Sequence, residues 1–149
     1  MADIKLLKQI REETQASIID IKKALEETNS DCKKALEWLK KRGIEKAEKK
    51  ATRETSQGLV ECYTHQTGRV GAMIELLCET DFVAKTEEFK GLAHELAMQV
   101  TAMNPKDASE LLKQDYIKDS AMTIEELIKS VIGKLGENIT VRNIQRFEI

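Results

Sequence analysis

No charge of one sign dominates this chain: 24 Lys and Arg stand against 26 Asp and Glu, a net charge of -2. A general nucleic-acid binder carries a basic excess, so DNA is not an expected partner. No apolar run approaches the roughly 20 residues that span a bilayer. The opening Met1-Ala2-Asp3-Ile4-Lys5 has no apolar leader core, so neither a membrane nor export is expected. Cys32, Cys62 and Cys78 are widely spaced and form no Cys-x-x-Cys pair; they read as reduced, mostly buried thiols of a cytoplasmic protein. Of the two histidines, His65 and His94, neither shares a motif with a nucleophile, and His94 falls beside the apolar stripe of its helix, a solvent-edge position. No His-x-x-x-His, paired-cysteine or Asp-rich loop is there to hold a metal. No Gly-x-x-x-x-Gly-Lys-Ser/Thr run is there to cradle phosphates. These absences weigh against an enzyme, against a metal or other cofactor, and against direct nucleotide binding.

What is present is an ordinary globular mix, 34% charged and 41% hydrophobic over 149 residues, enough for one domain or a small module joined to a medium one. From Asp3 to about Lys50 the pattern is helical. Ile4, Leu7 and Ile10 start an amphipathic stripe that ends near Thr14, and Ile18, Ile21 and Leu25 continue it in a second helix. Cys32, Ala35, Leu36 and Leu39 mark a third, with Ser30 or Asp31 as N-cap and Gly43 as its stop. Trp38 lies off that stripe as a partly buried packing residue. Three short helices of this kind suggest a ubiquitin-associated-like bundle over residues 1–43. Residues 44–56, where Lys46, Lys49, Lys50 and Arg53 mix with Glu45, Glu48 and Glu54, read as a solvated helical linker.

Residues 57–149 form the second unit. Two strand-like runs, Gly58 to Thr64 and Val70 to Cys78, flank a hairpin-length connection containing Gly68. The second run alternates Val70, Ala72, Ile74, Leu76 and Cys78 on one face, with Met73 and Leu77 on the other. That predicts a central strand covered by helices on one side and partly by a second surface on the other. Phe89, Leu92, Ala93, Leu96, Val100 and Met103 form a helical stripe that ends at Asn104-Pro105. Capping-box patterns at Asp107 to Glu110 and Thr123 to Glu126 open two further helices. In the latter, Ile124, Leu127, Ile128, Val131 and Leu135 point inward. A β-rich close, Asn138 to Ile149, suggests a third strand whose alternation slips at Asn143 and Ile144, as at a bulge. The expected fold class is α+β, with about three antiparallel strands packed with helices.

The stretch Cys78-Glu79-Thr80-Asp81-Phe82-Val83-Ala84-Lys85 connects a strand to a helix beginning at Thr86. Phe82 there is either a hydrophobic staple folded back near Phe89 or an exposed anchor for a partner's pocket. The run Glu79 to Lys85 resembles the signature of the elongation factor Ts family, guanine-nucleotide exchange factors for elongation factor Tu. Arg11-Glu12-Glu13-Thr14 with Asp20-Ile21-Lys22-Lys23-Ala24-Leu25, and Gly133 to Arg142 with its Gly-Glu-Asn-Ile turn, are similar to two more motifs of that family. Where the family usually carries Thr-Gly-Ala-Gly, this chain has Thr14-Gln15-Ala16-Ser17. The second core subdomain, coiled-coil insertion and C-terminal tail of longer members do not fit in its length.

The resemblance implies a translation factor that binds elongation factor Tu and promotes GDP release. Phe82 would be the wedge and Asp81 its companion contact, with Thr80 and Val83 shaping the loop. Ile10 would be a contact of the first helix, and Leu135 and Gly136 a second core contact. Ile10 and Leu135 equally fit plain core packing. Gln99 stands where the helix of a second subdomain would carry a histidine, and that role is not transferred. A homodimer could replace the missing subdomain. The rival reading is a non-catalytic adaptor of the ubiquitin-associated type.

Overall fold

The computed structural model describes residues 3–149; Met1 and Ala2, the first residues of the opening searched for a leader, lie outside it. Helix α1, Ile4–Thr14, starts at Asp3, whose carboxylate accepts from the Lys5 amide at 2.9 Å. It ends at Gln15, which takes the left-handed conformation with φ 55°. Helix α2, Ile18–Glu27, is capped by Ser17: its Oγ accepts from the Asp20 amide at 3.1 Å and donates to the Asp20 carboxylate at 2.7 Å. Asp31 caps helix α3, Cys32–Lys50. Ile10, Ile21, Ala24, Leu25, Ala35 and Leu39 are buried together, with Trp38 packed at their margin. Full burial of each large side chain contributes about 1.5–3 kcal/mol.

Helix α3 does not stop at Gly43. It runs on to Lys50, because a second helix offers it a packing face. That helix is α7, Ile124–Leu135, and where the two meet, glycine faces glycine: a methyl group built on Gly133 would sit 3.2 Å from the Gly43 Cα. Gly in a helix interior costs about 1 kcal/mol, offset here by close approach. Ala47, one turn further on, is buried in the second core, and Lys129 of α7 reaches Glu48 at 3.4 Å. The polar segment after Gly43 is therefore docked on α7 rather than solvated on all sides.

The second core is built on a three-stranded antiparallel sheet of β1 (Gln57–Thr64), β2 (Val70–Cys78) and β5 (Ile139–Glu148), with β2 in the centre. Ala72, Ile74, Leu76 and Cys78 of β2 are buried in one cluster with Phe89, Leu92, Leu96 and Val100 of helix α5, Glu87–Met103. The slip in β5 is a bulge: Ile74 pairs with Ile144 and Leu76 with Val141, so Arg142 and Asn143 both oppose Glu75. The Glu75 carboxylate accepts from both, at 2.6 and 3.2 Å. The fold class is α+β, as expected.

The sheet's other face carries no second layer among the described residues: Met73, Val60 and Phe147 are 50%, 58% and 76% exposed. Cys62 lies on that side too and is exposed, and Cys32 is half-buried, so only Cys78 fits the expectation of buried thiols. The strict period of two puts Cys62 opposite Met73 in the register and away from the helices. Two elements had no sequence signal. Helix α4, Asp81–Ala84, occupies what read as a loop. A hairpin of β3 (Asp115–Tyr116) and β4 (Asp119–Thr123) follows α6, Ala108–Lys113. The hairpin lacks a Gly turn and is held instead by fully buried Gln99. The Gln99 amide donates to the Asp115 carbonyl at 3.0 Å and accepts from the Ile117 amide at 3.0 Å.

Candidate partner-binding site

Between β2 and α5 the chain must turn while Cys78 stays buried and Phe89 enters the core. It does so through α4, a single helical turn too short to be stable alone. Thr80 is its N-cap, its hydroxyl accepting from the Val83 amide at 3.4 Å. At the other end Thr86 caps α5 and donates its hydroxyl to the Val83 carbonyl at 2.7 Å. Ala84 is buried, Val83 packs on the core, and Phe82 is left pointing into solvent, 80% exposed. The staple reading of Phe82 therefore fails: Phe89, not Phe82, fills the core. Asp81 is exposed and pairs with Lys85 at 3.2 Å, an arrangement worth a few tenths of a kcal/mol.

The turn is tied to the start of β5. The Thr80 amide donates to Glu137 Oε1 at 2.9 Å and its hydroxyl to Glu137 Oε2 at 2.7 Å. In return the Asn138 amide donates to Glu79 Oε1 at 2.8 Å. The buried Asn138 side chain donates to the Arg53 carbonyl at 2.8 Å, and Arg53 pairs with Glu79 at 3.6 Å. Three segments remote in sequence are thus clasped at one point. Beneath it the Cys78 thiol donates to the Thr80 carbonyl at 3.1 Å; burial pushes that thiol above its ordinary value, and the Glu137 carboxylate adds to the shift. Cys78 is a packed donor here, not a nucleophile.

Of the residues singled out in the sequence, Thr80, Asp81, Phe82 and Val83 come together on this turn. Leu135, half-buried, and Gly136, exposed with φ 77° as the α7 cap, immediately precede Glu137. Ile10 does not join them: it is fully buried in the N-terminal cluster. That module's exposed apolar residues are Ile4, Ile18 and Ile19, the last 79% exposed. Sequence reasoning passed over Ile19, and it quoted Glu79, Glu137 and Asn138 only as parts of family motifs, with no role for any of them. An isoleucine off the apolar stripe was the available signal for the first; the clasp's bonds span 57 and 59 residues, and the two motifs that hold them gave no sign that they meet.

Fold and site together define a class: an α+β protein that holds an aromatic side chain out in solvent on a fixed turn. The family model for elongation factor TS matches residues 79–149, which contain that turn and the Glu137 and Asn138 that clasp it. Elongation factor Ts of Thermotoga maritima is 41% identical over 187 aligned positions, covering 97% of this chain and 94% of the relative. That of Rippkaea orientalis is 40% identical over 195, covering 99% and 78%, and that of Thermoanaerobacter sp. 36% over 193, covering 99% and 95%. The chain belongs to the elongation factor Ts family of translation elongation factors. Each alignment is longer than the chain's 149 residues, so the relatives hold residues within the matched span that have no counterpart here.

Proposed function

We propose that this protein is a cytoplasmic guanine-nucleotide exchange factor that binds elongation factor Tu in its GDP form and promotes GDP release by inserting Phe82 beside the magnesium and phosphate site. The observation that carries this reading is the 80% exposure of Phe82 on a turn fixed from three sides. An exposed phenyl ring in water is unfavourable, and burying it in a partner's pocket makes it an anchor. In a GTPase the phosphate loop and Mg²⁺ hold the nucleotide, and Mg²⁺ tolerates distorted coordination poorly. A wedge beside it weakens GDP, and by reciprocity GDP weakens binding of the wedge by the same factor. Nothing in this cycle requires the exchange factor itself to bind nucleotide or DNA.

The remaining contacts fall around that wedge. Asp81 flanks it, Thr80 and Val83 set its direction, and Leu135 and Gly136 supply a second core contact. On the N-terminal bundle, Ile18 and Ile19 supply the apolar surface that meets the GTPase domain. Buried Ile10 of α1 supports them from beneath, in the cluster that it shares with Ile21 of α2. The open sheet face bearing Val60, Met73 and Phe147 suits self-association, a second copy covering what the helices leave bare; light scattering at working concentration that gives a monomer would refute the dimer.

The direct test is release of a fluorescent GDP analogue from elongation factor Tu, with and without this protein and its Phe82→Ala variant. Acceleration lost in the variant supports the wedge. Binding without acceleration by the native protein would leave the adaptor reading in its place.

A further inference from the structure

Resting on the exchange reading above, we infer that Glu137 is a positioning residue for the Phe82 wedge, acting from the other signature segment through Thr80. Four helical residues cannot fix their own direction, since nucleating a turn is unfavourable in isolation. The direction of α4 must come from its anchors. At the N-terminal end the anchor is Thr80, whose two donors both end on the Glu137 carboxylate. That leaves the Thr80 hydroxyl oxygen free to accept from the Val83 amide, while the Thr80 carbonyl accepts from the Ala84 amide at 3.3 Å. The amides of the two residues that follow the exposed Phe82 therefore hang on a residue that Glu137 holds.

Glu137 holds Thr80 by the geometry of its fork, and the ion pair of the clasp lies on Glu79 and Arg53 instead. Glu137 reaches Thr80 as a fork, each oxygen taking one donor, and sits directly after Gly136, whose left-handed backbone turns it toward β2. The reciprocal bond from the Asn138 amide to Glu79 fixes the spacing of the two segments. Shortening the side chain by one methylene would leave the fork out of reach. Replacing a carboxylate oxygen by an amide nitrogen keeps one acceptor for the Thr80 amide and offers a donor to the hydroxyl oxygen.

The test compares Glu137→Ala, Glu137→Asp and Glu137→Gln, each alone and with Phe82→Ala, in release of a fluorescent GDP analogue from elongation factor Tu. Amide exchange of Val83, Ala84 and Lys85 is followed by NMR in the free proteins. Alanine and aspartate should speed exchange of those amides. They should also lower the saturating release rate by about tenfold or more, with the half-saturating concentration changed by less than about threefold. Glutamine should restore most of both. In the Phe82→Ala background none of the three should slow release further. A Glu137→Ala protein that loosens α4 yet releases GDP at the native rate overturns the inference. So does activity that follows charge, aspartate active and glutamine not, or an added loss in the Phe82→Ala background. If Phe82→Ala itself releases GDP at the native rate, the exchange reading fails instead, whatever Glu137 does.

Discussion

Two of the exposed short turns of this protein are held in opposite ways. The turn between α1 and α2 is stabilised by neighbours: the Thr14 hydroxyl donates to the Ile10 carbonyl at 2.7 Å, the Gln15 amide to the Arg11 carbonyl at 2.8 Å, and Ser17 bonds Asp20 twice. Among the described residues only the ion pair of Lys46 with Asp20 reaches further along the chain. The turn of α4 is held by bonds that cross 57 and 59 residues, with Asn138 reaching 85 residues back to Arg53. A locally held turn survives wherever its helices do. A turn held at long range keeps its geometry only while the whole core is folded, which couples the direction of Phe82 to global stability.

The largest test of that contrast uses two phenylalanines seven residues apart. Phe89 is fully buried and Phe82 is 80% exposed. Phe89→Ala should cost about 3–5 kcal/mol and Phe82→Ala less than about 0.5 kcal/mol, both read from urea unfolding. A cost for Phe82→Ala near that of Phe89→Ala would mean that Phe82 packs in solution after all.

Next is the clasp. Asn138 is buried, and Asn138→Ala leaves the Arg53 carbonyl without its donor, an expected cost of about 1–3 kcal/mol. The same variant should accelerate amide exchange across α4 while leaving the α1–α2 turn unchanged. Equal loosening of both turns would erase the distinction between them.

A pH series adds a third test, at the β3–β4 hairpin. The Tyr116 hydroxyl donates to Glu95 at 2.8 Å and Lys118 reaches the same carboxylate at 2.6 Å. Burial first, then the bond to Glu95, pushes Tyr116 up to about 12. Burial alone would raise Glu95, but its bonds from Lys118 and Tyr116 prevail and hold it below the usual range. A raised pKa means stability that is complete below the unfolded value near 10 and is lost as pH climbs through about 12. A lowered carboxylate means stability present above its unfolded value near 4.5 and lost as pH falls through its depressed folded one. Partial exposure trims the tyrosine effect to about 1–2 kcal/mol. Tyr116→Phe should abolish the alkaline part, measured by thermal melts from pH 9 to about 12.

The local features were legible because their causes are local. Asp3, Ser17, Asp31, Thr86, Asp107 and Thr123 all cap helices, and three of the six, Asp31, Asp107 and Thr123, were marked by spacing to the apolar stripe or by a partner three residues on. The bulge at Asn143 was visible as a break in alternation. Gly43 misled because a glycine that stops an isolated helix is also one that admits Gly133 of another helix. Met73 and Leu77 suggested a second covering layer, but apolar residues on a sheet face record that the face can be covered, not that this chain covers it. The pairing within the clasp was invisible for a different reason: Glu79 stands in one motif and Glu137 and Asn138 in another, and nothing in either says that they meet until the fold places them together. The Phe82 turn itself was found through family resemblance, and its exposure came only from the structure.

The smallest effect tests the local turn alone. Gln15 holds φ 55°, where a side chain costs about 1–2 kcal/mol relative to glycine. A glycine there also frees the unfolded chain, at a cost of about 0.4–1 kcal/mol. The strain outweighs the entropy, so Gln15→Gly should stabilise by about 0.5–1 kcal/mol. Asn29 also holds positive φ, at 51°, but asparagine tolerates that region, so Asn29→Gly should gain less. The gain at Gln15 should appear as a higher midpoint in urea with an unchanged slope and leave amide exchange in α4 as it was. A gain that also protects α4 would show that the two turns are coupled, and that the long-range clasp extends further into the N-terminal bundle than its hydrogen bonds indicate.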